Sequence, residues 1–466
     1  MTPTVFGAVS LFLSMARRVS TEAWIVALEH ENQMLETFTA LPVAETSQSR
    51  EELLIMELVH RRCVGIDIAK KSATVCVRVA GKGRRRTTET VTTWGSMTNQ
   101  ILALREHLIA EQVSCVAMEA TGDYWKPFYY LLEDAGFELL LVNARHVKNM
   151  PGRKSDVLDA VWLAQLVAHG LVRGSLVPPP PIRELRDLTR TRTGWVRDRS
   201  REIARLERLL EDAGIKLSSV ASELNGVSSR AMLWALIEGE RDPAVLANLA
   251  QRRLRPKIPI LVEALTGRFS DHHAYLARMH LEAIDRHNAR IADIERRIEA
   301  GMEPFQVFRE LICSIPGISQ TVADVVIAET GGDLTRFASA EHLTSWAGVC
   351  PGSNESAGRV KSTKTRKGDA HLKGALGVAA LSIARNPYGS YLGAKYRRIA
   401  SRRGPSKAIV AIERAMLVII WQMSRTGAFY QDLGLDYYTR PDPERVKRRA
   451  LKQLTNLGYK VTIEAA

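Results

Sequence analysis

The 466-residue chain has only five cysteines, and Cys63, Cys76, Cys115, Cys313 and Cys350 are scattered along it. None forms a CxxC pair and none has a histidine as its immediate neighbour, so neither a disulfide framework nor a zinc finger is expected. They read as reduced thiols of a cytoplasmic protein. Long apolar runs are missing as well. The most apolar stretch, Ala408 to Met423, is broken by Glu413 and Arg414 and falls short of the ~20 clean residues of a membrane span. An apolar run from Val5 to Leu13 has no basic residue before it and no small-residue cleavage site after it, which argues against a signal peptide. Acidic residues are in deficit: 65 Lys and Arg face 51 Asp and Glu, a net charge of +14. That balance points to a polyanionic partner, nucleic acid before an anionic membrane.

The excess is local. Between Gly352 and Lys407 thirteen cations, from Arg359 to Lys407, face only Glu355 and Asp369. The length exceeds what one hydrophobic core usually serves, so two or three domains are expected.

Residues 1–55 show no element pattern and read as a disordered extension. From Cys63 onward, β-rich runs with short polar turns follow one another: Cys63 to Ile68, Ala73 to Ala80 and Thr87 to Thr93. A helical pattern over Met97 to Glu111 precedes a strand at Cys115 to Ala120, a helix from Trp125 to Asp134 and a strand from Phe137 to Val142. The order β-β-β-α-β-α-β is that of an RNase H-like domain, and a helix from Ser155 to His169 covers its sheet. Pro178 to Pro181 then reads as a stiff spacer that cannot continue a helix.

Beyond the prolines, Ile182, Leu185, Thr189, Val196, Ile203, Leu206 and Leu210 recur at helical steps. They predict a long helix with a coiled-coil-like seam. A second seam runs through Leu281, Ile284, Ile291, Ile294 and Ile298. The two seams suit either an antiparallel hairpin with a helical tip over 215–275 or a contact between copies of the chain. Further on, LICSIPGISQTVADVVIAET, from Leu311 to Thr330, resembles a helix-hairpin-helix, whose turn offers N–H groups to a phosphate. A Pro-Gly turn between helices also occurs as plain packing.

Four carboxylates stand out. Asp67 lies at the end of the first strand in GIDIAK and Glu119 at the end of the fourth in AMEATGDYW, and these strands are neighbours in an RNase H-like sheet. Asp156 and Asp159, in RKSDVLDA, share one face of the following helix. Carboxylates that converge repel unless a cation neutralises them, and hard oxygen donors suit Mg²⁺ or Mn²⁺. Two such ions can serve both the attacking and the leaving oxygen of a phosphoryl transfer. In WAGVCPGSNESAGRVKSTKTRKGDAHLKGAL, Ser356 sits in a Gly-rich loop beside Arg359, Lys361, Lys364, Arg366, Lys367 and Lys373, a candidate nucleic-acid surface. A hydroxyl held against a phosphate among cations can attack it, although a serine in such a loop is more often only a loop residue, and Ser353 and Ser362 compete with it.

Taken in order, GIDIAKK, MEATGDYW, GRKSDVLDA, SIPGIS, SWAGVCPG-NESAG and TRKG-HLKGAL resemble the bacterial insertion-sequence transposases called the one-ten family, over roughly residues 58–430. The resemblance implies a RuvC-like DEDD domain, a helical connector and a mainly helical C-terminal transposase domain with a catalytic serine. It also implies a bridge RNA that pairs with donor and target DNA. The four acids match as Asp67, Glu119, Asp156 and Asp159, and the serine as Ser356. The expected division is 56–177, 182–302 and 303–435, with a tail over 436–466. A homo-oligomer is expected, without a membrane partner and associated with the nucleoid. The alternatives are a metal-dependent junction resolvase or DNA invertase, which needs no serine, and a noncatalytic nucleic-acid-binding protein.

Overall fold

The computed structural model describes residues 58–81, 86–119, 122–143, 156–352, 354–356, 358–438 and 443–459. The extension expected over 1–55 and the competing Ser353 lie outside them. The chain forms two compact units that part between Pro178 and Pro179.

The first unit is built on a five-stranded sheet of β1 (Arg62–Ile68), β2 (Ser72–Val79), β3 (Thr88–Gly95), β4 (Cys115–Glu119) and β5 (Glu138–Val142). Its order is β3-β2-β1-β4-β5. The first three strands pair antiparallel, whereas β4 runs parallel to both β1 and β5. This is the RNase H-like arrangement that the order of runs predicts. The central strands β1 and β4 are nearly continuous apolar runs because both of their faces are covered. The edge strand β3, TETVTTWG, is mostly exposed. On one face, α1 (Thr98–Ala110) and α2 (Trp125–Leu132) press Ile101, Leu104, Leu108, Phe128 and Leu132 onto Val64, Ile66, Val116 and Met118. On the other, α3 (Asp156–Ala168) packs Leu163, Leu166 and Val167 against Cys63, Cys115, Ala117 and Val142. Gly65 is required there: a Cβ on it would stand 2.3 Å from the Ala160 carbonyl oxygen.

The second unit opens with α4 (Pro180–Asp212), of 33 residues, which returns as α9 (Asp271–Met302), of 32. Each extends about 50 Å at 1.5 Å per residue. Arg192 Nε donates to Glu295 at 2.8 Å, Arg199 to Asn288 at 2.9 Å, and His280 pairs with Glu202 at 2.9 Å. Partner numbers fall on one helix as they rise on the other, so the helices are antiparallel. Ile182, Leu185, Leu206 and Leu210 on one helix and Leu281, Ile284, Ile291, Ile294 and Ile298 on the other are buried. Of the two arrangements open to the seams, the chain builds the hairpin within itself. Four short helices, α5 (Leu217–Val220), α6 (Val227–Ile237), α7 (Pro243–Asn248) and α8 (Ile258–Leu265), close its tip around Met232, Leu233, Leu236, Leu246 and Leu261. The proline run is not only a spacer. Pro179 is the extended N-cap, and Pro180 and Pro181 begin α4 itself, because the first turn of a helix has no use for the missing N–H and the fixed φ suits it.

The remaining helices are α10 (Gln306–Cys313), α11 (Gln320–Thr330), α12 (Ala340–Trp346), α13 (Ala370–Arg385), α14 (Tyr391–Arg403), α15 (Pro405–Thr426) and α16 (Pro443–Asn456). A two-stranded ribbon of β6 (Asn354–Ser356) and β7 (Arg359–Ser362) precedes α13. The helix-hairpin-helix pattern is α10, a turn and α11. Gly317 in that turn has φ +85°, and a Cβ there would meet the Ala379 carbonyl oxygen at 2.8 Å. Nearly all of α11 is buried, including two carboxylates. Arg309 answers Asp324 bidentately at 2.6 and 3.1 Å and also reaches Glu299 at 2.7 Å. Arg190 of α4 answers Glu329 at 2.8 and 2.7 Å, so the foot of the hairpin is ion-paired to α11.

Replacing one member of a buried ion pair strands the other, at a cost of about 3–5 kcal/mol. Arg309→Met is therefore expected to lower the denaturant midpoint by that equivalent, whereas Arg296→Ala, on the surface of α9, should shift stability by no more than ~0.5 kcal/mol. Equal effects of the two substitutions in a urea titration would contradict the pairing.

Candidate active site

The register of the parallel pair places Ile66 beside Met118. Asp67 and Glu119 follow at the next position of each strand, at the carboxyl ends of two neighbouring strands. Side chains alternate along a strand, and Ile66 and Met118 face α1 and α2, so Asp67 and Glu119 stand on the face covered by α3. Glu119 is 8% exposed, Asp67 is half-buried, and both interact with other groups.

The direction of α3 decides where its aspartates lie. Cys63, at the start of β1, donates its thiol to the Ala164 carbonyl at 3.3 Å, while Gly65, further along, packs on Ala160. The helix therefore runs antiparallel to β1, and its N-terminus lies toward the strand end that carries Asp67. Asp156 is the first residue of α3, and Asp159, half-buried, lies one turn on. All four acids thus belong to one end of the sheet. Among the described residues, Asp67, Glu119 and Asp159 do not form a set whose ligand atoms all lie within 4.8 Å of one another. The donors at this end are hard carboxylate oxygens, which fit Mg²⁺ or Mn²⁺ and not a soft metal.

Ser356, in the second unit, ends β6 with its side chain exposed and pairs across the ribbon with Arg359; Gly358, at φ +72°, makes the turn. Glycines close the base of the segment that carries it. A Cβ on Gly368 would stand 2.3 Å from the Ala347 backbone, and one on Gly352 would stand 2.5 Å from the Lys364 carbonyl oxygen. The Gly-rich composition of WAGVCPG and TRKGD is thus what lets the two legs touch backbone to backbone. Arg359, Lys361, Lys364, Arg366 and Lys367 are exposed on this segment. Lys373 differs from them: half-buried, it donates Nζ to the Gly348 carbonyl and to Thr365 Oγ1, both at 3.3 Å, and so braces the base of the segment.

Two family models match the chain, one described as Transposase over residues 64–215 and one as Transposase IS116/IS110/IS902 family over residues 309–397. The insertion element IS900 uncharacterized 42 kDa protein of Mycobacterium paratuberculosis is 30% identical over 336 residues, covering 64% of this chain and 80% of that one. The chain belongs to the IS110 family of transposases. Among further relatives, the IS110 uncharacterized 43.6 kDa protein of Streptomyces coelicolor is 28% identical over 43% of this chain and 53% of its own length. The putative transposase y4pF/y4sB of Sinorhizobium fredii is 23% identical over 68% of this chain and 74% of its own. A solved Thermus thermophilus RuvC structure aligns with 24% of this chain and 99% of its own at 15% identity and a TM-score of 0.21. An IS110-family transposase is an enzyme acting on DNA, and its DEDD domain is of a kind that generally uses a divalent metal. No helix among the described residues is long and apolar enough to cross a membrane.

Two features of the transposase escape its sequence pattern. The first is the bracing role of Lys373. The second is Glu413, in the middle of the apolar α15, which is 4% exposed and whose Oε2 has no hydrogen-bond partner among the described residues. Burial pushes its carboxyl up to about 7, against the opposing charge of Lys373. A carboxylate inside the most apolar stretch of the chain was the signal available.

The fold favours neutral Glu413, so the stability this group contributes is full below the ordinary glutamate value of 4.5 and is lost as pH rises through about 7. Glu413→Gln, neutral at every pH, is expected to gain thermal midpoint relative to the wild type as the pH goes from about 5 to about 8. A difference that stays flat across that range would contradict a raised Glu413.

Proposed function

We propose that this transposase cuts and rejoins donor and target DNA with Asp67, Glu119, Asp156 and Asp159 as ligands of Mg²⁺ or Mn²⁺ and Ser356 as the nucleophile, guided by a bridge RNA. The observation that carries the reading is the placement of Asp67 and Glu119 at adjacent ends of parallel strands, on the face where α3 brings its first turn. Bound cations would supply charge stabilisation to a phosphoryl group in transfer. The carboxylates would hold them, and the N-terminal end of α3 adds a partial positive charge of its own.

Ser356 Oγ gives up its proton as it attacks a phosphate of the strand, the phosphorus–oxygen bond to the leaving deoxyribose breaks, and the leaving oxygen takes up a proton and departs as a hydroxyl. The serine ester that forms keeps the energy of the phosphodiester. Attack by the hydroxyl of another strand then rejoins DNA and returns the serine without an external energy source. Arg359, Lys361, Lys364, Arg366 and Lys367 hold nucleic-acid backbone by neutralising phosphates. Lys373 acts with them by fixing the base of their segment. Exchange between two duplexes requires several strands to be held at once, which favours a homo-oligomer with symmetric interfaces.

Asp67→Ala and Glu119→Ala are each expected to lower strand cleavage by about 1000-fold, the several kcal/mol that a bound cation contributes to transition-state charge. DNA binding and its dependence on salt should be unchanged, and excess chelator should act like the substitutions. Cleavage that survives both variants and the chelator would sink the reading.

A further inference from the structure

We propose that His60, Cys115 and Glu138 form a second metal centre, separate from the carboxylate end of the sheet, that takes a thiophilic divalent ion of the Zn²⁺ class. The three residues come from the segment entering β1, the start of β4 and the start of β5, and their ligand atoms all lie within 4.8 Å of one another. Nothing in the linear sequence joins them. The sheet does: Ser114 N donates to the Arg62 carbonyl at 2.9 Å, and Glu138 N donates to the Ser114 carbonyl at 3.0 Å. These bonds tie together the three segments that carry the ligands.

Hydrogen bonding sets the imidazole. Ser114 Oγ donates its proton to the Arg62 carbonyl at 2.9 Å, so toward His60 Nδ1, 3.5 Å away, its oxygen can only accept. A neutral imidazole then carries its proton on Nδ1 and turns the Nε2 lone pair toward the Glu138 carboxylate, 3.8 Å away. Lone pair, carboxylate and sulfur face one another, and a cation is the group that satisfies all three. An N–H donated from the second ring nitrogen to a nearby oxygen is the usual support of a metal-bound histidine. One nitrogen, one sulfur and one carboxylate oxygen make a Zn²⁺ donor set with a fourth position left to solvent, and they are a poor set for Mg²⁺. Solvent reaches the site through Glu138, whose side chain is 57% exposed, and His60, 20% exposed. Burial holds the Cys115 thiol protonated, pushed up to about 12, so the ion must displace that proton. The centre lies four residues back along β4 from Glu119, roughly 13 Å at ~3.3 Å per residue. Its part is to clasp three strand starts and not to take part in cleavage.

The test is a Co²⁺ titration of the full chain in excess Mg²⁺, which occupies oxygen-only sites. The near-ultraviolet thiolate-to-cobalt band is expected at one ion per chain and should bleach when Zn²⁺ is added. Cys115→Ser should abolish the band, while Cys63→Ser and Cys350→Ser should keep it. Ser114→Ala should weaken binding by roughly 10- to 100-fold, as loss of a supporting hydrogen bond does. His60→Ala and Glu138→Gln, at the accessible rim, carry the same test if Cys115→Ser does not fold, and each should weaken binding by more than Ser114→Ala. A wild type without the band, which would leave His60 and Glu138 as an ordinary ion pair, overturns the proposal. So does a band that Cys115→Ser retains or that both rim variants leave unchanged.

Discussion

The first unit depends on a close approach between two backbones. Gly65 has no side chain, so the carbonyl of Ala160 and the amide of Ala164 lie where a Cβ would stand, and α3 rests directly on β1. Any larger residue would force the helix off the strand or tilt it. Together with the Cys63–Ala164 hydrogen bond, that contact fixes the direction of α3 and directs its first turn, with Asp156 and Asp159, toward the strand end that carries Asp67. The covering of Cys63, Cys115 and Ala117 follows from it too, and with it the burial of β1 and β4 on both faces. Those buried strands hold Glu119 where it is.

The second unit uses a different device for the same end. Its long hairpin buries a seam of Ile and Leu, which is non-directional, so polar pairs such as Arg192 with Glu295 set the register of one helix on the other. At the foot, Arg190 joins Glu329, and at 3.8 Å it also approaches Asp369, the residue that caps α13 with hydrogen bonds to the amides of His371 and Leu372. The glycines of the Ser356 segment, the Lys373 brace and the cap at Asp369 converge on the short stretch from Lys364 to Asp369. Like charges on the exposed ribbon repel one another, and that base opposes the repulsion. Buried pairs give directional specificity there at some cost in desolvation.

What the sequence made legible follows physical range. Strands β1 and β4 were readable because burial on both faces leaves an apolar run, and the strand-end positions of Asp67 and Glu119 because a carboxylate ending such a run is conspicuous. The hairpin was readable from the two seams, although periodicity could not tell a fold-back from a contact between copies; the polar cross-pairs decide that, and they carry no periodic signal. The start of α4 was missed because a run of prolines reads as a breaker, while the first turn of a helix tolerates it. Lys373 looked like one more cation in a basic run, since only the turn of α13 aims its ammonium at Gly348. His60, Cys115 and Glu138 could not be read as a set at all. They are joined by sheet register, which the linear spacing of cysteines and histidines does not report.

The account joins the carboxylates of one unit and the serine of the other in a single chemistry, and the attached strand is its most direct signature. Reactions with DNA carrying the element ends, quenched in denaturant and digested with protease, should yield a peptide containing Ser356 bound to DNA through a phosphate ester. The same adduct should be missing from Ser356→Ala and from Asp67→Ala proteins that still bind DNA. Cut DNA with no protein attached would assign the nucleophile to water and make the enzyme a hydrolytic nuclease, and an adduct that persists in Ser356→Ala would assign it to another residue. Either result would contradict the account.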